Sequence, residues 1–149
     1  MQDPLQELQE TLYHEIPITQ YLGISVASYT DGCLILKAPL DPNINHKRTV
    51  FAGSLNAVVT LAGWGQLWLT LKELNIPAKI VIQDSSSNYI SPVKNDFTAL
   101  CRKPAPVQIS RLESMLKKKG KARMELTAQV CVEESVAVAF KGRYVIYSV

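Results

Sequence analysis

Residues 43–74 read NINHKRTVFAGSLNAVVTLAGWGQLWLTLKEL, and the fold turns on how this stretch is interpreted. A polar loop, Asn43 to Arg48, runs into a segment, Thr49 to Leu71, that carries no charge. Apolar residues fall on nearly every helical face of that segment, which predicts a helix from about Ser54 to Leu74 buried all round, not along a single stripe. A sheet wrapped around one central helix meets that demand. Ala52-Gly53-Ser54 at the helix start are small, so another group can approach the backbone N–H donors that a helix start leaves unpaired. About 20 apolar residues could also span a bilayer. Asn56, Thr60, Gln66 and three glycines oppose that reading, as do the amphipathic segments on both sides.

Outward from this centre, residues 4–13 have Leu5, Leu8 and Leu12 on one helical face, and Pro17 is expected to end that helix. Leu22 to Tyr29 reads as a strand, Thr30-Asp31-Gly32 as a turn and Cys33 to Ala38 as the hairpin partner. Pro39 and Pro42 break the second strand and lead into the polar loop. After the central helix, Asn75-Ile76-Pro77 closes it. Lys79 to Ile90 is strand-like, with polar residues on both faces at Gln83 to Asn88, the mark of a water-facing, ligand-facing or subunit-facing strand. Asp96 to Arg102 makes the next strand and Val107 to Lys119 a second sizeable helix. Ala122 to Val132 and Val136 to Ile146 form a long hairpin joined at Glu133-Glu134-Ser135. The expected architecture is α+β, a single domain over residues 1–149, with an open sheet edge that a second copy would cover.

Composition narrows the function. The 149 residues carry a net charge of +3, too small to argue for nucleic acid, and no signal-like opening is present, so a cytoplasmic location is expected. The three cysteines, Cys33, Cys101 and Cys131, are widely spaced and fit reduced, strand-borne thiols. His14 and His46 lie far apart, and neither a metal site nor a cofactor is expected. Lys117, Lys118, Lys119, Lys121 and Arg123 cluster, and Lys47 and Arg48 sit at the helix mouth; such patches attract anionic partners such as coenzyme A or an acidic carrier protein. The simpler reading of the lysine run is a helix end, its negative pole complemented by cations and closed by Gly120.

Pro42-Asn43-Ile44-Asn45, Phe51-Ala52-Gly53-Ser54, Leu61-Ala62-Gly63-Trp64-Gly65 and Asn88-Tyr89-Ile90-Ser91-Pro92-Val93 resemble the hot-dog superfamily, over nearly the whole chain. Its members act on acyl thioesters of coenzyme A or acyl carrier protein. The branch resembled comprises domains labelled as thioesterases, alone or fused behind an acetyltransferase domain. That resemblance implies malonyl-ACP decarboxylation, giving acetyl-ACP for the start of fatty-acid synthesis, with a loop asparagine before the central helix as the key residue, here Asn45. Fold likeness alone would not specify the reaction.

The chemistry of the residues separates this reading from its alternatives, an acyl-CoA or acyl-ACP thioesterase and a non-catalytic thioester-binding dimer. Hydrolysis needs a base or nucleophile, whereas a malonyl thioester brings its own carboxylate and leaves an enolate when carbon dioxide departs. Such a site wants neutral donors on the thioester oxygen, and Asn45 with the N–H groups of Gly53 or Ser54 suits that role. Between residues 56 and 71 the helix offers only Asn56, Thr60, Gln66 and Thr70 as polar groups, with no carboxylate. Asp84 is the rival base, although a polar strand explains it equally well. Asn43, His46, Asn56, Lys47 and Arg48 complete the set expected around substrate. Against each stands a plain alternative: asparagines before a helix form turns or caps, and a loop histidine is commonly solvated. Trp64 and Trp68 are read as core.

Overall fold

A computed structural model describes residues 2–149. Helix α1 (Pro4–Glu15) begins at Asp3, whose carboxylate accepts from the Leu5 N–H, and buries Leu8 and Leu12. Pro17 does not simply end the first helix. It precedes a five-residue helix, α2 (Ile18–Leu22), closed by Gly23 at φ 73°. Proline suits a helix start because the N–H it lacks has no helical partner there. The first strand therefore starts at Ser25, not Leu22. Strands β1 (Ser25–Thr30) and β2 (Cys33–Ala38) form the expected hairpin, with Asp31 and Gly32 at φ 51° and 75°, both left-handed as a tight hairpin turn requires. A single 3₁₀ turn at Asp41–Asn43 occupies what reads as plain loop in the sequence.

The central helix α3 (Ala52–Leu74) starts two residues before the expected Ser54 and stops at Asn75, at φ 57°. The remaining elements are β3 (Ala78–Tyr89), β4 (Phe97–Arg102), α4 (Pro106–Lys119), β5 (Lys121–Val132) and β6 (Ser135–Ser148). They join β1 and β2 in one six-stranded sheet of order β1-β2-β4-β5-β6-β3, antiparallel at every pairing. The sheet wraps α3 as expected. Among the described residues no helix is long and apolar enough to cross a membrane.

Burial around α3 is uneven. Leu55, Val58, Val59, Ala62, Leu67 and Leu69 are core, whereas Asn56, Ala57, Thr60, Trp64 and Trp68 form a half-buried stripe. The stripe lies beside β3, an edge strand: Ser87 on β3 bonds Asn56, and the Trp64 indole donates to the Ile80 carbonyl (3.1 Å). Helix and sheet meet closely at Gly63, where an added Cβ would fall 2.1 Å from the Tyr144 hydroxyl.

Two irregularities shape the surface. In β3 the register passes from Ile82 opposite Tyr144 to Asp84 opposite Arg143, so Gln83 is one residue too many. Such a bulge reverses which side chains face the helix. In β5, pairing with β6 runs the full length of the strand, but pairing with β4 is confined to Val130 and Gln129. Beyond Arg102 the place beside β5 is taken by α4, anchored by Leu112 and Leu116 and closed by Gly120 at φ 70°.

Candidate active site at the start of the central helix

The loop before α3 is a small hairpin of its own. Ile44 bridges Val50, the Asn45 N–H donates to the Thr49 carbonyl (2.8 Å) and the Arg48 N–H to the Asn45 carbonyl (3.1 Å). The Asn45 side chain organises the tip. Its Oδ1 accepts from the N–H groups of Lys47 (2.9 Å) and Thr49 (3.2 Å), and its Nδ2 donates to Thr49 Oγ1 (2.9 Å). The turn-forming role weighed for Asn45 is thus present. The second amide hydrogen has only a long contact, 3.5 Å to the Val50 carbonyl. His46, Lys47 and Arg48 are exposed at the tip, with Arg48 at φ 65°.

Asn43 is placed differently from the other loop residues. It is 2% exposed, and its Nδ2 donates inward to the carbonyls of Leu22 (2.9 Å) and Pro39 (2.8 Å). Both amide hydrogens are committed, so the substrate contact expected of Asn43 has no free donor there. Its backbone carbonyl accepts from the Phe51 N–H (2.7 Å), which fastens the loop to the residue preceding α3. This bond and the Asn45–Thr49 backbone pair together hold the Asn45 turn beside the segment that leads into α3.

At that start the N–H groups of Ser54 (3.0 Å) and Leu55 (3.1 Å) both donate to the Phe51 carbonyl. Ser54 is therefore not an available backbone donor as expected from the sequence, and the residue is 7% exposed. Among the described residues the N–H groups of Ala52 and Gly53 have no acceptor, and both residues are exposed. Ala52 is the donor the sequence reading passed over, although the run of small residues included it. Gly53 lies under the Phe51 ring, which folds over the helix start and is 55% exposed; a Cβ there would fall 2.3 Å from the ring, so the ring would have to swing outward. The positive pole of a helix adds to the attraction for an oxyanion here.

Asn56, in the second turn, accepts from Ser87 Oγ at 2.7 Å, and its Nδ2 has no partner among the described residues. Ser87 was hidden in the run Ser85-Ser86-Ser87, which alone does not say which serine faces the helix. Because Ser87 faces α3, the pleat turns Asp84, three residues away, to the opposite side of the sheet. There its side chain is 66% exposed and lies 3.8 Å from Arg143. The structure thus gathers Asn45, Ala52, Gly53 and Asn56 at one end of α3 and leaves Asp84 outside that group.

The groups with displaced ionisation lie deeper. Burial, then the neighbouring Cys33, pushes the Cys101 thiol up to about 12. Burial raises the Tyr144 phenol, with Cys101 adding to it, and burial then Glu73 raises Tyr29. All three remain protonated near neutrality, and none can serve as a base.

An antiparallel sheet wrapped on one long helix, with open donors at the helix start, defines the hot-dog fold of thioester enzymes. The chain belongs to the family described as "Putative thioesterase (yiiD_Cterm)", whose profile matches residues 5–148. Among solved structures it is similar to "the putative thioesterase from Shewanella oneidensis", at 36% identity over 100% of this chain and 99% of that one, with a TM-score of 0.89. It is similar also to the protein OLEI01261 "with unknown function from Chlorobaculum tepidum TLS", at 35% identity over 97% and 94% of the two chains, with a TM-score of 0.92. A Pseudomonas aeruginosa protein, PA5026, described as "Probable Thioesterase", shares the fold at 21% identity and a TM-score of 0.83 over 100% and 99% of the chains.

Proposed function

We propose that the chain decarboxylates a malonyl thioester carried by acyl carrier protein, releasing carbon dioxide and leaving the acetyl thioester. The observation that carries this reading is a donor set with no acid in it: the N–H groups of Ala52 and Gly53 are open, and α3 bears no charged side chain before Lys72. When the bond to the carboxyl carbon breaks, its electron pair moves into the thioester carbonyl, and the charge collects on the oxygen. Fixed N–H dipoles aimed at that oxygen stabilise the enolate more than the ground-state carbonyl, which is the condition for lowering the barrier.

Asn45 supplies either a further donor, through its weakly engaged amide hydrogen, or a hold on the departing carboxylate. That carboxyl group must stand perpendicular to the carbonyl plane for its electron pair to enter the π system. A carboxylate of the protein would repel the substrate's own, and the outward position of Asp84 suits this requirement. His46 at the loop tip is within the set that can return a proton to the enolate carbon.

The proposal includes a second copy of the chain. Among the described residues the outer edge of β3 has no strand partner, and the stripe Asn56, Ala57, Thr60, Trp64 and Trp68 beside it is only half-buried; paired copies would cover both. Sedimentation showing an active, stable monomer at micromolar concentration overturns this part.

Incubating malonyl-ACP with the protein and weighing the intact carrier tests the reaction. Acetyl-ACP is the expected product. Free-thiol ACP would identify a thioesterase, and unchanged malonyl-ACP a binder without activity.

A further inference from the structure

We propose that the trough between α4 and β5 is the docking surface for an acidic helical face of the carrier protein, an inference that rests on the carrier-thioester reading above. The trough encloses about 750 Å³ and has basic walls over an apolar floor. Arg111 and Lys119 face it from α4, Lys121 and Arg123 line it from β5, and Glu125 is the lone carboxylate; Arg123 turns its Nε away to donate to Gln83 on β3 (3.1 Å). Four cations against one carboxylate leave a surplus of three positive charges, as large as the net charge of the entire chain.

Lys72, Lys103 and Lys117 each hold a glutamate, at Glu7, Glu73 and Glu113. Among the described residues none of the four trough cations has a carboxylate within 4.0 Å, and Glu125 itself lies 4.0 Å from Lys141. Unpaired cations such as Lys37 and Lys79 occur elsewhere among the described residues too; what sets the trough apart is that its cations line one groove. The negative pole of α4 accounts for Lys119, in the last turn. It does not account for Arg111 two turns earlier, or for Lys121 and Arg123 on a strand. Like charges lining one groove repel one another, and an anionic partner relieves that repulsion.

The shape favours a protein over a free nucleotide phosphate. From Gln108 to Lys119 the α4 wall runs for about 16 Å, three helical turns. Leu112 and Met124 lie at its floor and Met115 is exposed along it. A methionine is a deformable apolar contact that suits a helix laid in a groove, its acids meeting the basic walls. A compact phosphate needs neither the length nor the floor.

Position along the sheet explains how docking and chemistry combine. Ala128 and Ser87 both lie opposite Phe140, which puts Ala128 level with the Asn56–Ser87 contact. Arg123 is five residues further along β5, about 17 Å. A carrier seated there acts on the helix start at the reach of its extended prosthetic arm, not by direct contact.

The test uses Arg111→Glu combined with Lys119→Glu, both exposed, with Lys37→Glu on β2 as a control for net charge. Titration calorimetry with the apo form of an acidic acyl carrier protein is expected to show binding by the unaltered protein and about tenfold weaker binding by the double variant. The control should bind as before. Turnover of malonyl-pantetheine, which has no carrier to dock, should be the same in the double variant and the unaltered protein. Unchanged carrier binding in the double variant, or no binding to begin with, overturns the proposal. A loss on malonyl-coenzyme A as large as on malonyl-ACP makes the occupant a nucleotide phosphate, and a changed sedimentation coefficient makes the trough a contact between copies; either also overturns it. Carrier bound through the trough but returned with its malonyl group intact would sink the decarboxylase reading and leave the docking surface standing.

Discussion

Gln66 and Asn56 are amides on the same helix, ten residues apart, and they are used in opposite ways. Gln66 is fully buried, and its Nε2 donates to the carbonyls of Gly32 (2.9 Å) and Cys101 (2.8 Å). Its Oε1 takes longer contacts from Thr70 and Tyr29, both at 3.4 Å. Every polar group of that amide is committed to the ends of β2 and β4, so it ties helix to sheet. Asn56 accepts one hydrogen bond from Ser87, and among the described residues its amide hydrogens have no acceptor, nor do the N–H groups of Ala52 and Gly53 one turn earlier. Buried polar groups are as a rule satisfied, the Asn43 Oδ1 being an exception among the described residues. The satisfied half of the helix specifies the fold, and the unsatisfied half is where a ligand can bond.

The largest effect expected from breaking this contrast is at Asn45. Aspartate at that position keeps the acceptor that holds the Lys47 and Thr49 N–H groups, so the turn survives, but it has no amide to donate. Asn45→Asp should therefore lower the rate of acetyl-ACP formation by about 10²–10³, with thermal unfolding close to that of the unaltered protein. Near-normal turnover would show that the residue is only a turn former.

At the committed end the outcome should reverse. Gln66→Leu strands two buried carbonyls and should cost about 2–4 kcal/mol in urea unfolding, with turnover per folded molecule preserved. A lost rate in folded protein would mean the two halves of the helix are not separable. Gly63→Ala probes the same region by crowding. The new methyl would meet the Tyr144 hydroxyl at 2.1 Å and its ring carbon Cζ at 2.7 Å, and the cost should be about 1–3 kcal/mol. Adding Tyr144→Phe should recover only part of it, because the ring carbons still crowd the methyl. The smallest effect belongs to Asp84→Asn: less than about twofold in turnover and under about 1 kcal/mol in stability, the scale of an exposed ion pair. Loss of activity there would restore a carboxylate to the chemistry.

Much of the fold was legible in the sequence because the signals were long. An uncharged run from Thr49 to Leu71 has few ways to be buried, and the alternation through Ala122–Val132 suits only a strand. Short elements were not legible. Pro17 has the same sequence whether it ends one helix or begins another, and only Gly23 five residues after Ile18 hinted at α2. The site was half legible for a related reason. Small residues marked the helix start, but which N–H groups stay open depends on the Phe51 carbonyl taking two of them, a geometric outcome. The bulge at Gln83 was invisible too. Regular alternation from Ile80 and Ile82 would turn Asp84 toward the helix, and one extra residue turns it away.

Helix α4 has a consequence for how such a chain can change over time. It enters from the end of β4 and leaves into β5, fills a place no strand occupies, and is held from beneath by Leu112 and Leu116. Its upper side touches neither Asn45 nor the start of α3. Arg111, Met115 and Lys119 are exposed and can be exchanged as a group with the two leucines kept, and nothing at the start of α3 has to accommodate the exchange. On the docking proposal, partner choice and chemistry would be inherited as separate traits, and a descendant could acquire a new partner without relearning its reaction.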